Sequence, residues 1–423
     1  MLQEQTIRIV KSTAPVVELH AEAITRRFYQ LMFAGNPEVQ AYFNHAHQHS
    51  GGQQKALAAA ICAYAANIDN LAALGPAVEL IAQKHCSLGI QPEHYPIVGK
   101  HLLVAIKDIL KESATDEVIA AWAEAYGFLA KVCIEREAAI YKEQAAIEGG
   151  WNGYRKVVVE RKVAESQIIS SFYLRPLDSR PLPQFLPGQY ITLKVDHPEI
   201  PTSPRNYSLS DRPGLPHYRI SVKREPALTS TAPVGLASNY LHDHIQAGDT
   251  LEIGPPCGEF TLNPAQIGNR PIVLLSGGIG QTPVLSMLTA LAHQNAKTPV
   301  FFIHGARNSS VHAFAKEVRD IAERHPNIHT HFRYDAPLAN DIRERRCDST
   351  GSVDIGLLLA LLPNKHARFY FCGPKPFMVE LYHGLKTWGV EDTDINFEFF
   401  GPRQDITGAS STGIFNDSLA LAS

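Results

Sequence analysis

Five polar side chains occupy apolar helical stripes in the first third of the chain. In ELIAQKHCSLG (79–89), Ile81, His85 and Leu88 follow at spacings of four and three, so they share a face and His85 points inward. Gln53 stands one turn ahead of a face built from Leu57, Ile61, Tyr64, Ile68 and Leu71. Tyr95 heads a face continued by Val98, Leu102, Ile106 and Ile109. Glu137 joins Tyr126, Ala130, Cys133 and Ile140, and Tyr29 lies between Thr25 and the pair Met32 and Phe33. A buried imidazole needs a partner for each ring nitrogen, and burial disfavours its charged form. His85 is therefore either a core histidine satisfied by neighbours or a metal ligand, and a lone histidine has no ligand spacing to decide between them. Each buried polar group left unpaired costs about 1–3 kcal/mol, so five of them predict shared partners. The alternative is five separate edge positions whose polar ends reach water.

A second set of residues suits phosphate and ring recognition. In RNYSLS (205–210), a strand carrying Arg205, Asn206, Tyr207 and Ser208 lets the arginine pair with a flavin pyrophosphate while the tyrosine stacks on the isoalloxazine. PGQY (187–190) offers Tyr190 as a further aromatic, and VGLASNYLHD (234–243) places Ser238 and backbone N–H groups at a helix start suited to phosphate. In LLSGGIGQTPVLSML (274–288), Gly277, Gly278 and Gly280 permit close approach of a pyrophosphate, and Gln281, Thr282 and Pro283 open a helix whose N-terminus favours negative charge. YFCGPKPFM (370–378) ends a second strand at Cys372, Gly373 and Pro374, where open parallel sheets bind ligands. Taken alone, each of these motifs also reads as an ordinary strand or turn, and Cys372 as a small buried hydrophobe.

Three kinds of structure must position these residues. At 423 residues the chain is too long for one ordinary core. Up to about residue 147 the text is Ala-rich with helical period. From 152 to 263, short runs such as KVVVERKV, QYITLKV and YRISVKR between Pro and Gly predict an antiparallel β domain. From 268 to 403, apolar strands alternate with helical segments (283–294, 311–324, 376–388), the signature of βαβ units around a parallel sheet. Residues 404–423 are rich in Ser, Gly and Ala and read as a flexible tail. A net charge of −3 gives no reason to expect nucleic acid, and no apolar run of about 18 residues predicts a membrane span. Six scattered cysteines without CxxC pairing, and an N-terminus without a signal-peptide core, fit free thiols in a reducing cytoplasm.

Phe43 in YFNHAHQ, Pro37 in GNPEV, Gln53 and His85 have the order and spacing of a bacterial globin, which the first 147 residues resemble. The resemblance implies haem b, with His85 as proximal iron ligand, Phe43 against the porphyrin, and Tyr29, Gln53 and Leu57 lining the gas-binding side. It gives Tyr95 and Glu137 the role of tuning His85, since a partner on the second imidazole nitrogen pushes electron density to the metal. RxYS, then GGxGxTP, then CGP, then FEFFGP resemble the ferredoxin-NADP reductase-like proteins over residues 152–403, which implies FAD on the barrel and NADH or NADPH on the α/β domain. Glu398, Phe399, Phe400, Gly401 and Pro402 are the expected flavin contacts near the end, although Phe399 stands where that family usually has cysteine. The fusion narrows the resemblance to the flavohaemoglobins: an all-α globin, an antiparallel FAD barrel and an α/β NAD-binding domain.

Nicotinamide delivers two electrons at once, whereas haem iron accepts one, so a flavin between them is the necessary converter. Lys84, beside His85, is expected to place positive charge between haem and flavin, or else to be a solvated surface lysine. A globin that is continuously re-reduced implies turnover, and the resemblance implies a nitric oxide dioxygenase with NO and O2 as small-molecule partners and no obligate protein partner. An O2 or NO sensor or carrier with a maintenance reductase, and a haem-assisted reductase of peroxide or other acceptors, remain alternatives from the residues alone. Arg307 in HGARNSS hints at a 2′-phosphate and NADPH, while the family resemblance favours NADH.

Overall fold

The computed structural model of the chain describes residues 2–43, 52–195, 204–227, 235–400 and 406. Gly401, Pro402 and, apart from Ile406, the segment 404–423 lie outside the described residues. Ile406 itself is buried with the C-terminal sheet core.

The first part is helical: α1 (Glu4–Leu19), α2 (Ala21–Gly35), α3 (Gly52–Ala66), α4 (Gly75–Leu88), α5 (His94–Leu110) and α6 (Asp116–Ala146). A short 3-10 turn over Pro37–Tyr42 leads to Phe43. Local chemistry sets the ends of α4 and α6. Pro76 opens α4, and Gly89 closes it in the left-handed conformation (φ 76°) that glycine adopts freely. The Thr115 side chain accepts from the Val118 N–H at the start of α6, where Asp116 and Glu117 complement the helix dipole. Val10, Ile24, Phe28, Met32, Ile106 and Trp122 form the shared core. The α3 face does not run on to Ile68 as its spacing predicts, because the helix stops at Ala66; Ile68 is buried from the turn that follows. At Gly99 an added Cβ would lie 2.5 Å from the Tyr126 ring, so glycine lets α5 and α6 close up and bring Tyr95 toward Glu137.

The middle part holds β1 (Arg155–Ala164), β2 (Ile169–Pro176), β3 (Tyr190–Lys194), β4 (Arg205–Ser208), β5 (Tyr218–Lys223) and β6 (Thr250–Ile253), with α7 (Leu236–His244). The strands pair antiparallel in the order β4-β3-β6-β1-β2-β5. A bridge between Leu209 and Ile220 joins the two end strands and closes the sheet into a barrel, which leaves no open edge. Val157, Phe172, Leu174, Ile191, Ile220 and Leu251 fill it.

The last part alternates β7 (Ile272–Gly277), α8 (Gln281–His293), β8 (Val300–Ala306), α9 (Ala315–Arg324), β9 (Ile328–Tyr334), α10 (Ala339–Arg343), β10 (Ser349–Thr350), α11 (Ile355–Leu361), β11 (Arg368–Cys372), α12 (Lys375–Trp388) and β12 (Ile395–Glu398). All pairings are parallel, in the order β10-β9-β8-β7-β11-β12. Every residue of β7 is buried, as expected for a strand covered on both faces. The chain order reverses between β7 and β11, so the crevice where such sheets take ligands opens at their carboxyl ends. Helix α9 starts four residues later than the periodicity of 311–324 predicts. Phe314 adopts φ 61°, which ends the preceding loop and turns His312 and Phe314 into the core. A Cβ on Gly280 would lie 2.2 Å from the Cys372 carbonyl oxygen, a backbone atom that cannot swing away. Gly280→Ala is therefore expected to cost about 1–3 kcal/mol; thermal unfolding at an unchanged midpoint would show that the two loops separate freely.

Candidate functional site

Three of the five polar residues on helical stripes meet. His85 Nδ1 lies 2.7 Å from Glu137 Oε1 and 3.0 Å from the Tyr95 hydroxyl, which itself donates to Glu137 Oε1 at 2.5 Å. Tyr126 fixes this cluster by donating its hydroxyl to the Tyr95 carbonyl at 2.7 Å. Glu137 is 2% exposed. Burial, then the Glu137 hydrogen bond, raises the Tyr95 pKa far above the usual phenol range, so Tyr95 remains a donor. With the carboxylate accepting from both groups, the proton of His85 belongs on Nδ1. Nε2 then carries the lone pair, and no described residue hydrogen-bonds it. An imidazole held by a carboxylate on one nitrogen and open on the other is the arrangement of a metal-ligating histidine, and the residues fit an iron-porphyrin.

Tyr29 stands apart from that cluster. Its ring packs against Phe28 (4.8 Å between centroids), Phe33 (5.6 Å) and Phe43 (5.6 Å). Its side chain is buried, its hydroxyl has no hydrogen-bond partner among the described residues, and burial raises its pKa well above the phenol range. Leu57 and half-buried Gln53 lie one turn apart on α3, and Leu57 joins the same core. The Tyr29 hydroxyl thus sits among aromatic and aliphatic side chains.

Helix α4 faces two ways. Residue 85 belongs to the cluster above, and its neighbours meet the barrel. Lys84 Nζ lies 5.7 Å from the centre of the Tyr190 ring, and Cys86 packs with Tyr190 and Cys257. Gln83 Oε1 accepts from the Gly258 N–H at 3.1 Å, and Gln144 of α6 donates to the Cys257 sulfur at 3.1 Å. Register places Tyr190 opposite Ser208 and Ile191 opposite Tyr207, so the two tyrosines project from opposite faces of the β3–β4 ribbon. Tyr190 therefore meets α4, while Tyr207 packs against the barrel core beside Arg205 and Asn206; Asn206 Oδ1 accepts from the Thr192 hydroxyl at 3.1 Å. Ser238 lies in the first turn of α7 and already donates to the Gly235 carbonyl while accepting from the Glu225 N–H.

Lys84 is exposed along its length, while neighbouring protein atoms crowd its ammonium. That burial lowers its pKa to about 8 against the opposing pull of Glu398. Glu398, at the end of β12, is pushed up to about 8 by burial and by Glu259, with Lys84 opposing. Its Oε2 is buried with no hydrogen-bond partner among the described residues. Charges from the helical part, the barrel and the C-terminal sheet thus bear on one cleft, and the orphaned carboxylate oxygen fits a polar ring seated there. Phe399 packs on Phe397 at 5.8 Å, and Phe400 is half exposed.

Beyond β7, Gly277, Gly278 and Gly280 form the tight turn, with Gly278 at φ 54°, and Thr282 donates to the Ile279 carbonyl at 3.1 Å. Both polar atoms of the Gln281 amide are buried without partners among the described residues at the start of α8, which Pro283 continues. A nucleotide phosphate or carboxamide supplies what that amide lacks. Cys372 is fully buried, its thiol pKa raised by burial, beside Gly373 and Pro374 at the facing loop. Arg307 is exposed just after β8. Sequence reasoning missed Gln83 and Gln144, which tie helices to barrel; polar residues spaced like surface positions give no signal of a domain contact.

The globin family model matches residues 26–133, and that of the oxidoreductase NAD-binding domain matches 274–383. A flavohemoprotein of Rhodopirellula baltica is 59% identical over 406 residues, which is 96% of this chain and 99% of the relative. The crystal structure of flavohemoglobin from Malassezia yamatoensis with bound FAD and heme has a TM-score of 0.80 at 26% identity, covering 95% of this chain and 100% of that one. The FAD/NAD binding domain of nitric oxide dioxygenase from Vibrio cholerae has a TM-score of 0.51 at 32% identity, covering 59% of this chain and 99% of that one. Fold and site define a globin joined to an NAD-linked oxidoreductase module. The chain belongs to the flavohaemoprotein family. Among the described residues no helix is long and apolar enough to cross a membrane.

Proposed function

We propose that the chain is a nitric oxide dioxygenase that converts NO and O2 to nitrate at the expense of NAD(P)H. One observation carries the reading: consecutive residues of α4 reach the barrel and the carboxylate-held cluster, Lys84 beside the Tyr190 ring and His85 against Glu137, which joins the two parts that an electron path would connect. Storage of oxygen does not call for that coupling, whereas repeated reduction does. The Vibrio cholerae neighbour, named a nitric oxide dioxygenase, supports the same reading.

When bound, the haem supplies a one-electron iron centre for O2, and FAD converts the two-electron hydride of NAD(P)H into single electrons. His85 Nε2 would hold the iron, and Glu137 and Tyr95 would keep His85 in its ligating tautomer. Phe43 borders the porphyrin, and Leu57 and Gln53 border the gas side. Tyr29 would present its hydroxyl as a hydrogen-bond donor on the gas side, where a donor stabilises developing negative charge. Arg205 and Tyr207, on one face of β4, would meet the flavin pyrophosphate and ring, Ser208 lies on the other face with Tyr190, which walls the cleft toward α4, and α7 with Ser238 would border the phosphates. Gly277 to Pro283 and Cys372 to Pro374 receive the nucleotide.

The cleft charges make flavin binding pH-sensitive. Below about pH 8 Lys84 is charged and Glu398 is protonated; above it Lys84 loses its charge and Glu398 gains one. The cleft thus becomes less positive as pH rises, and affinity for the anionic FAD is expected to fall through about pH 8. Fluorescence titration of FAD at several pH values measures this, and Glu398→Gln should flatten the profile; a level wild-type profile would remove the pair from flavin binding.

The experiment that tests the function is NO consumption by the haem- and FAD-loaded protein in aerated buffer with NADH, nitrate being quantified against NADH. About two nitrates per NADH are expected, since each hydride supplies two single electrons. NADH oxidation indifferent to NO would favour a sensor or carrier, and oxidation driven by peroxide would favour a different acceptor. Repeating the assay with NADPH decides whether exposed Arg307 reads a 2′-phosphate.

A further inference from the structure

The corner that follows RNYSLS is clamped to the α/β part by a buried charge. Arg219 of β5 is 4% exposed. Its Nη1 and Nη2 donate to Glu317 Oε2 and Oε1 of α9 at 2.9 and 3.1 Å, a two-pronged fit. Nη2 also donates to the Ser210 carbonyl, and the Ser210 N–H donates back to the Arg219 carbonyl at 2.8 Å. The guanidinium carbon sits 5.0 Å from the Phe314 ring centre, on the loop before α9. Next to Ser210, the Asp211 carbonyl accepts from the Ser286 hydroxyl of α8 at 2.7 Å. Among the described residues, Arg219–Glu317 is the one ion pair between the barrel and the α/β part.

The location gives this pair more than an adhesive role. Ser210 lies three residues beyond Tyr207 on the same run of chain, and Ser286 lies on the helix that begins at Gln281. A displacement of α9 or α8 against the corner therefore moves the nucleotide loop relative to the flavin strand. Hydride transfer needs its atoms about 3–3.5 Å apart, and a slip of about 1 Å can cost on the order of 100-fold. A buried ion pair is weak evidence for stability as such, but its two-pronged geometry tolerates little sliding.

We propose that Arg219 and Glu317 are positioning residues for hydride transfer, holding the nicotinamide of NADH at reaction distance from the flavin. In that step the nicotinamide C4–H bond breaks with both electrons and an N–H bond forms at flavin N5. The nucleotide is oxidised, and the reduced flavin takes its remaining proton from water. The inference rests on the assignment of Tyr207 to flavin and of the Gly277–Gln281 loop to nucleotide, and is independent of the fate of NO.

The test is anaerobic stopped-flow reduction of FAD by NADH and by 4-deuterated NADH in the full-length, FAD-loaded protein. Glu317→Gln keeps the shape of the side chain and removes its charge; Arg219→Lys keeps the charge and removes the fork. Both are expected to lower the limiting rate of flavin reduction, by about 10- to 100-fold for Glu317→Gln and by less for Arg219→Lys. The NADH concentration at half-saturation should stay within about twofold of wild type, and the deuterium effect should be fully expressed, as for a step limited by reaction geometry. Amide hydrogen exchange across 208–212 should quicken in both variants, reporting the loosened corner without reference to turnover. An unchanged limiting rate, or a fall that merely tracks lost FAD, overturns the proposal. Fast flavin reduction in wild-type protein that consumes no NO would refute the dioxygenase reading and leave this one standing.

Discussion

Tyr29→Phe is expected to lower NO consumption roughly 10- to 150-fold, the worth of one hydrogen bond to a charged group at about 1.5–3 kcal/mol. The ring keeps its place, because its contacts with Phe28, Phe33 and Phe43 are made by carbon atoms that phenylalanine retains. What disappears is the hydroxyl of a side chain that is 6% exposed, with no hydrogen-bond partner among the described residues. Its removal takes away no hydrogen bond made within the described residues, so the unfolding midpoint should stay level. Activity and stability therefore move apart, which a general loosening of the pocket would not produce. Because burial holds the hydroxyl protonated far above neutrality, the deficit should also be independent of pH between about 6 and 9. The assay is initial NO loss at an electrode across that range. Equal rates for the two proteins would remove the hydroxyl from the reaction.

How much of this was legible from residues alone depended on whether a side chain broke a local rule. His85, Tyr95 and Glu137 each put a polar group on an apolar stripe, and the structure brings the three within hydrogen-bond distance. The parallel sheet was visible because short apolar runs such as β7 and β8 alternate with helical segments, and the barrel because its short strands fall between Pro and Gly. Residues 311–314 were not, since no Gly or Pro separates them from the helix; only the left-handed turn at Phe314 reveals that the chain enters the core before α9 starts. Lys84 was ambiguous for another reason: a lysine beside an inward residue is ordinarily solvated, and Lys84 is indeed exposed, while its contact with the Tyr190 ring comes from the barrel, distant in sequence. Arg219 and Glu317 are 98 residues apart and each looks like a surface charge on its own element. Their pairing arises only when two domains dock, and local periodicity contains nothing of that.

Glu137→Gln is expected to lower NO consumption about 10- to 100-fold, the range for losing the group that orients a metal-ligating histidine. The substitution preserves volume in a side chain that is 2% exposed. It replaces a double acceptor by an amide that has one acceptor and must also donate. If the amide donates to His85 Nδ1, the imidazole proton moves to Nε2 and the lone pair needed by the iron is lost; haem affinity then falls. Where the ligating tautomer survives, the missing negative charge 2.7 Å from Nδ1 makes the imidazole a weaker donor. The midpoint potential of the bound iron should therefore rise. Tyr95→Phe provides the opposing control. Losing the hydroxyl that donates to Glu137 Oε1 at 2.5 Å leaves the carboxylate to His85 alone, which strengthens its pull on the Nδ1 proton and should lower the potential. Spectroelectrochemical titration of the two holoproteins measures both shifts. Opposite signs are what a network acting through His85 requires, and shifts in the same direction would mean that both substitutions merely disturb packing around α6.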